Sequence, residues 1–172
     1  LGNDHIDVAA TIYNTGQTHH QRGELDQAMA LYEEFLKLGV ERLGPVHRDI
    51  AIMYKCIAQI YQERGDLTAA QDTFKKALHI GKKALGSNHA EIASTLNKVG
   101  NLAYEMGDFD SAMKYYAEGL KIEQSVLEQD HPHVIVTLTN IAQIHKQKSD
   151  YAKAITNYRE VHRMQLRKYG PN

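Results

Sequence analysis

A histidine recurs at His5, His47, His89 and His131, and each step is 42 residues. Other columns keep the same beat: Gly23, Gly65, Gly107 and then Ser149; Ala28, Ala70, Ala112 and Ala154; Tyr32, Phe74, Tyr116 and Tyr158. A gap-free period of this size marks a stacked-repeat architecture, in which each copy buries its apolar face against its neighbours. The expected domain organisation is a single array over 1–172, with repeats at 1–42, 43–84, 85–126 and 127–168. Residues 169–172 open a further junction. Leu1-Gly2, Leu43-Gly44, Leu85-Gly86 and Tyr169-Gly170 fall at one point of the repeat, which predicts that the chain is a piece of a longer array.

Within a repeat the apolar spacing is helical. From His89 to Met106, Ile92, Ala93, Leu96, Val99, Gly100 and Ala103 follow one another at three- and four-residue steps. Gly107-Asp108 interrupts this pattern. The glycine suits a left-handed helix terminus, and Asp108 or Asp110 can cap the next helix. A second helical rhythm runs from Ser111 to Leu127 through Ala112, Tyr115, Tyr116, Leu120 and Ile122. Strand-type alternation is absent, and the prolines (Pro45, Pro132, Pro171) lie at repeat junctions. Each repeat is therefore predicted to be helix, tight turn, helix.

Side-chain size is as periodic as polarity. Gly16, Ala58, Gly100 and Ala142 put one small residue in each first helix, and the Ala28 column does so in each second helix. Small residues at fixed positions let helices approach towards the short end of the roughly 8–10 Å range. Ile12, Tyr54, Leu96 and Leu138 supply bulk on one side, and Tyr32, Phe74, Tyr116 and Tyr158 on the other.

These columns carry a resemblance. Ile12-x2-Thr15-Gly16-x2-His19 with Ala28-x3-Tyr32, Tyr54-x2-Ile57-Ala58-x2-Tyr61 with Ala70-x3-Phe74, and their counterparts at Leu96 to Tyr116 and Leu138 to Tyr158 resemble the tetratricopeptide repeat. The usual repeat has 34 residues, so this variant is longer by about two helical turns. Its Leu-Gly-x-x-His junction is similar to the repeats of kinesin light chains, as are Ala77 to Gly86 and Thr95 to Val99. Glu128 departs from that pattern at the junction glycine, and only His131 is followed by proline. The resemblance implies an all-α fold, a right-handed α-solenoid of four antiparallel helix hairpins.

The charge balance and cysteine usage narrow the function. Formal net charge is −1, so no overall field draws the chain to nucleic acid or a membrane. Repeats one and three are acid-rich, and repeats two and four base-rich; the alternation would favour stacking in register, against the simpler reading of chance among surface charges, whose pairs contribute about 0–1 kcal/mol each. Cys56 is the single cysteine, which excludes a disulfide framework and points to a reducing, cytoplasmic setting. No Gly-rich phosphate loop, nucleophile elbow or zinc motif is present, so no enzyme activity and no cofactor are expected. The junction histidines would stand about 16–20 Å apart along a stack, too far to share a metal. Their expected role is structural, as caps or wedges.

In tetratricopeptide arrays the first helices line a concave groove, and the resemblance implies the same here for a protein or peptide ligand. The groove-facing positions, taken as those off the packed stripe, are Tyr13, Gln17 and His20; Lys55, Gln59 and Gln62; Asn97, Asn101 and Tyr104; Thr139, Gln143 and Lys146. Gln17, Gln59, Asn101 and Gln143 place an amide in every repeat, with Asn14 and Asn140 one turn away. A row of amides both donates and accepts hydrogen bonds and can hold an extended peptide backbone. Lys55, Lys98 and Lys146 make the face modestly basic against Glu63 and Glu105. The expectation is a scaffold or adaptor, with a regulatory module or an architectural spacer as alternatives. Exposed terminal repeats would also permit a homodimer.

Overall fold

The computed structural model describes residues 4–170, with side chains from residue 10 onward. Leu1, Gly2, Pro171, Asn172 and the side chain of His5 lie outside the described residues. Among these residues every regular element is a helix: α1 (Asp4–Gln21), α2 (Leu25–Leu43), α3 (Arg48–Glu63), α4 (Leu67–Leu85), α5 (Ala90–Glu105), α6 (Phe109–Val126), α7 (Pro132–Gln147) and α8 (Tyr151–Tyr169). The chain forms two compact units, Leu1–Ser87 and Asn88–Asn172. Each contains two hairpins. In the first unit α1 packs on α2, α3 on α4, and α2 meets α3; in the second, α5 packs on α6, α7 on α8, and α6 meets α7.

The turn inside each hairpin is the same hydrogen-bonded motif. Gly23, Gly65 and Gly107 have φ of 75°, 81° and 77°, and Ser149 follows them to 60°. At the third turn Gly107 N–H donates to the Tyr104 carbonyl (3.0 Å) and Asp108 N–H to that of Ala103 (2.9 Å). At the fourth, Ser149 N–H reaches the Lys146 carbonyl (3.0 Å) and Asp150 N–H that of His145 (2.8 Å). These bonds satisfy carbonyls that a helix end leaves without partners. The following helix is then capped by Asp66, Asp108 or Asp150, whose carboxylates accept from Ala69, Ser111 and Lys153 N–H. Glu24 is one methylene longer and makes no such cap. Its carboxylate pairs instead with His19 Nδ1 (2.5 Å) and Arg22 (2.9 Å).

The junction histidines cap the first helices, as their column suggested. His47, His89 and His131 Nδ1 accept from the N–H groups of Asp49 (3.2 Å), Glu91 (3.1 Å) and His133 (3.2 Å). Glycine ends α2, α4 and α8, at Gly44, Gly86 and Gly170, with φ near 80° (82°, 80° and 80°). Glu128 holds that place after the third hairpin, and there α6 stops one residue earlier. Its C-cap, Leu127, is extended, with φ −120°. A side chain in the left-handed region is costly, so the chain leaves the helix before reaching it.

The size columns meet as expected. A Cβ on Gly16 would fall 2.5 Å from Tyr32 Cε1, and one on Gly100 2.7 Å from Tyr116 Cε1. Around the first contact Met29, Tyr32 and Phe35 of α2 bury against Ile50, Met53, Ile57 and Ile60 of α3. In the second unit Ala112 and Tyr116 bury with Ile141 and Ile144, and Val134 and Ile135 with Val161 and Met164. Tyr158 is the exception in its column: it is 37% exposed, while Tyr32 and Phe74 are inaccessible. Arg64 pairs with Asp26 in the first unit, and at the equivalent register Lys148 pairs with Asp110 in the second.

Candidate functional site

Two first helices lie side by side in each unit, joined by polar side chains from the predicted face. In the first unit Gln17 Nε2 of α1 donates to Cys56 Sγ of α3 (3.3 Å). One turn on, His20 Nε2 meets Glu63 Oε1 (2.8 Å). In the second unit Asn140 Nδ2 of α7 donates to Asn101 Oδ1 of α5 (3.3 Å), and Gln147 Nε2 to the Tyr104 hydroxyl (3.1 Å). The Gln17–Cys56 and Asn101–Asn140 bridges sit at the same register. Each unit thus presents one polar face made of paired first helices.

The amide row is not uniform along that face. Gln17 Nε2 also donates to the Tyr32 hydroxyl (2.9 Å), and the Tyr116 hydroxyl donates to Asn101 Oδ1 (2.6 Å). Burial pushes both tyrosine hydroxyls well above their ordinary range, so they stay protonated hydrogen-bonding groups. In the second repeat the aromatic is Phe74, which has no hydroxyl to offer Gln59. In the fourth, Tyr158 is exposed. Neither Gln59 nor Gln143 has a hydrogen-bond partner among the described residues. Two amides are therefore tied down by the hairpin behind them, and two keep their donors and acceptors.

Other expected positions divide in the same way. Tyr13, His20, Lys55, Gln62, Lys98 and Tyr104 are half-buried, while Asn14 and Lys146 are exposed. Thr139 returns its hydroxyl to the Ile135 carbonyl (2.8 Å). Asn97 is engaged inside the hairpins: its Nδ2 donates to Glu123 Oε1 (2.8 Å) of α6 and to Thr137 Oγ1 (2.7 Å) of α7. Register alone put Asn97 on the face; the buried acid that claims it belongs to a column otherwise held by Gly39, Gly81 and Gln165. The signal for the tethered amides lay in the sequence: a glycine precedes the amide in Gly16-Gln17 and Gly100-Asn101, and an alanine does in Ala58-Gln59 and Ala142-Gln143.

No described helix is long and apolar enough to cross a membrane. No curated protein matches the sequence. Solved structures resemble it closely in fold. BtubC (BKLC) from P. vanneervenii superposes with a TM-score of 0.86 at 22% identity, covering 95% of this chain; the chain spans 65% of that protein. A putative kinesin light chain from Podosopora anserina with nearly identical TPR-like repeats gives a TM-score of 0.75 at 17% identity, over 99% of this chain and 81% of its own. The apo form of RapI gives 0.82 at 17% identity, over 97% of this chain and 59% of its own. Identities at this level establish a shared helical-repeat fold. Over residues 2–168 the sequence matches the MalT-like TPR region, and the chain belongs to that family.

Proposed function

We propose that the chain is a protein-interaction scaffold whose paired first helices hold an extended peptide segment of a partner. One observation carries this reading: in each unit α1 and α3, or α5 and α7, are bridged into a single polar face, and on it Gln59 or Gln143 has an amide with no hydrogen-bond partner among the described residues. A free amide offers two donors and an acceptor, the set needed to pair with a peptide backbone. Lys55, Lys98 and Lys146 stand on the same helices, and they favour a peptide with acidic or hydroxyl side chains. Membership of a TPR family agrees with a protein partner. The reading places the protein in the cytoplasm as an adaptor, without catalytic groups of its own.

Selection of binding peptides from a random extended-peptide library, using the whole chain as bait, tests the proposal. The expected result is recovered peptides whose binding is lost on Gln59→Ala together with Gln143→Ala. Recovery of peptides indifferent to both changes would overturn it.

A further inference from the structure

Position 123 breaks the repeat. Its counterparts Gly39 and Gly81 are buried glycines, and at Gly39 a Cβ would fall 2.9 Å from Ile50 Cδ1. The third repeat places a carboxylic acid there, 1% exposed. It compensates four residues earlier, where Gly119 stands in the column of Phe35 and Ala77. A Cβ on Gly119 would lie 2.7 Å from Asn97 Oδ1, so the space left by the absent side chain is the space the Asn97 amide occupies. The bulk has moved along α6, and polar atoms have moved in with it.

The hydrogen bonds of this cluster do not close. Asn97 Nδ2 spends its donors on Glu123 Oε1 and Thr137 Oγ1, and the Thr137 hydroxyl donates to the His133 carbonyl (3.0 Å). Asn97 Oδ1 and Glu123 Oε2 remain, both buried and both without a hydrogen-bond partner among the described residues. Both are acceptors when Glu123 is ionised, so neither can satisfy the other, and burying unsatisfied acceptors is unfavourable. The titratable groups that reach Glu123 electrostatically are His133 and His131, at the start of α7; α5 faces it with the neutral amide of Asn97. A single proton on the carboxyl removes the buried charge and supplies the donor that the cluster lacks.

We propose that Glu123 is a proton-holding residue, and that the seating of α6 against α5 and α7 is linked to the proton it holds. Burial drives its carboxyl above the ordinary glutamate range, against the opposing pull of the nearby Thr137 hydroxyl, the Asn97 amide and the two histidines. The folded chain therefore binds more protons here than the unfolded chain at pH values above the ordinary glutamate value. Stability from this site is complete below that value and is lost as pH rises through the raised one.

The experiment follows thermal melting of the whole chain between about pH 4.5 and 7.5, in parent and Glu123→Gln. In parallel, carbon NMR titrates the Glu123 carboxyl in the parent, assigned through its own backbone. Glutamine carries permanent donors, so the parent is expected to lose several degrees of Tm relative to Glu123→Gln as pH rises. The Glu123 carboxyl is expected to titrate above the other glutamates. A Glu123 signal that titrates with or below them overturns the proposal, as does a Tm difference that stays constant with pH. The NMR titration decides the matter alone if Glu123→Gln does not fold.

Discussion

Gly100 and Tyr116 are fitted to one another: a Cβ at position 100 would fall 2.7 Å from a ring carbon of Tyr116, whose hydroxyl is bonded to Asn101. Alanine would favour the helix by about 1 kcal/mol, but overpacking costs about 1–3 kcal/mol. The ring would also have to leave Asn101. Gly100→Ala is therefore expected to lower the melting temperature by several degrees. A rise in Tm would show that the hairpin tolerates a wider spacing.

Ser149 takes the left-handed conformation that glycine takes in the other three hairpins. A residue with a Cβ there loses roughly 1 kcal/mol or more. Ser149→Gly should stabilise the chain by about 1 kcal/mol in equilibrium denaturation, and Gly107→Ala should destabilise it by a similar amount. If both changes were neutral, the shared turn geometry would not be a source of stability.

His89 accepts from Glu91 N–H through Nδ1 and so caps α5. Asparagine can accept in the same place. His89→Asn is expected to melt close to the parent, whereas His89→Leu should cost about 1 kcal/mol, the usual worth of an N-cap. Equal losses in the two variants would mean that the imidazole acts by packing instead.

The repeated features were the legible ones. The helix pairs, the left-handed turn residues, the aspartate caps and the small residues facing large ones each recur in three or four copies, so chance is averaged out. Features confined to one repeat were not legible. Glu123 reads as a surface acid on a helix because nothing in its own column signals burial; only the exchange of Phe35 and Gly39 for Gly119 and Glu123 does. The tethering of Gln17 and Asn101, shared by two repeats, is marked in the sequence by the glycine before each amide, while the length of the bond is set by how far the tyrosine ring reaches across that glycine.

The tethered and free amides should differ in their effects. Gln17→Ala and Asn101→Ala remove bonds to buried tyrosine hydroxyls. Each is expected to cost about 1 kcal/mol of stability. Gln59→Ala and Gln143→Ala break no such bond and should leave Tm nearly unchanged while weakening a bound peptide. The contrast is read from melting curves beside peptide titrations of the same four variants.

Site-specific photo-crosslinking of a selected peptide tests the central claim most directly, with the reactive side chain placed in turn at positions 59, 143 and 76. Lys76 is an exposed residue of α4, a second helix. Capture at 59 and 143 with none at 76 is the result this account predicts. Capture at 76 with none at 59 or 143 would contradict it, because the peptide would then lie on the second helices.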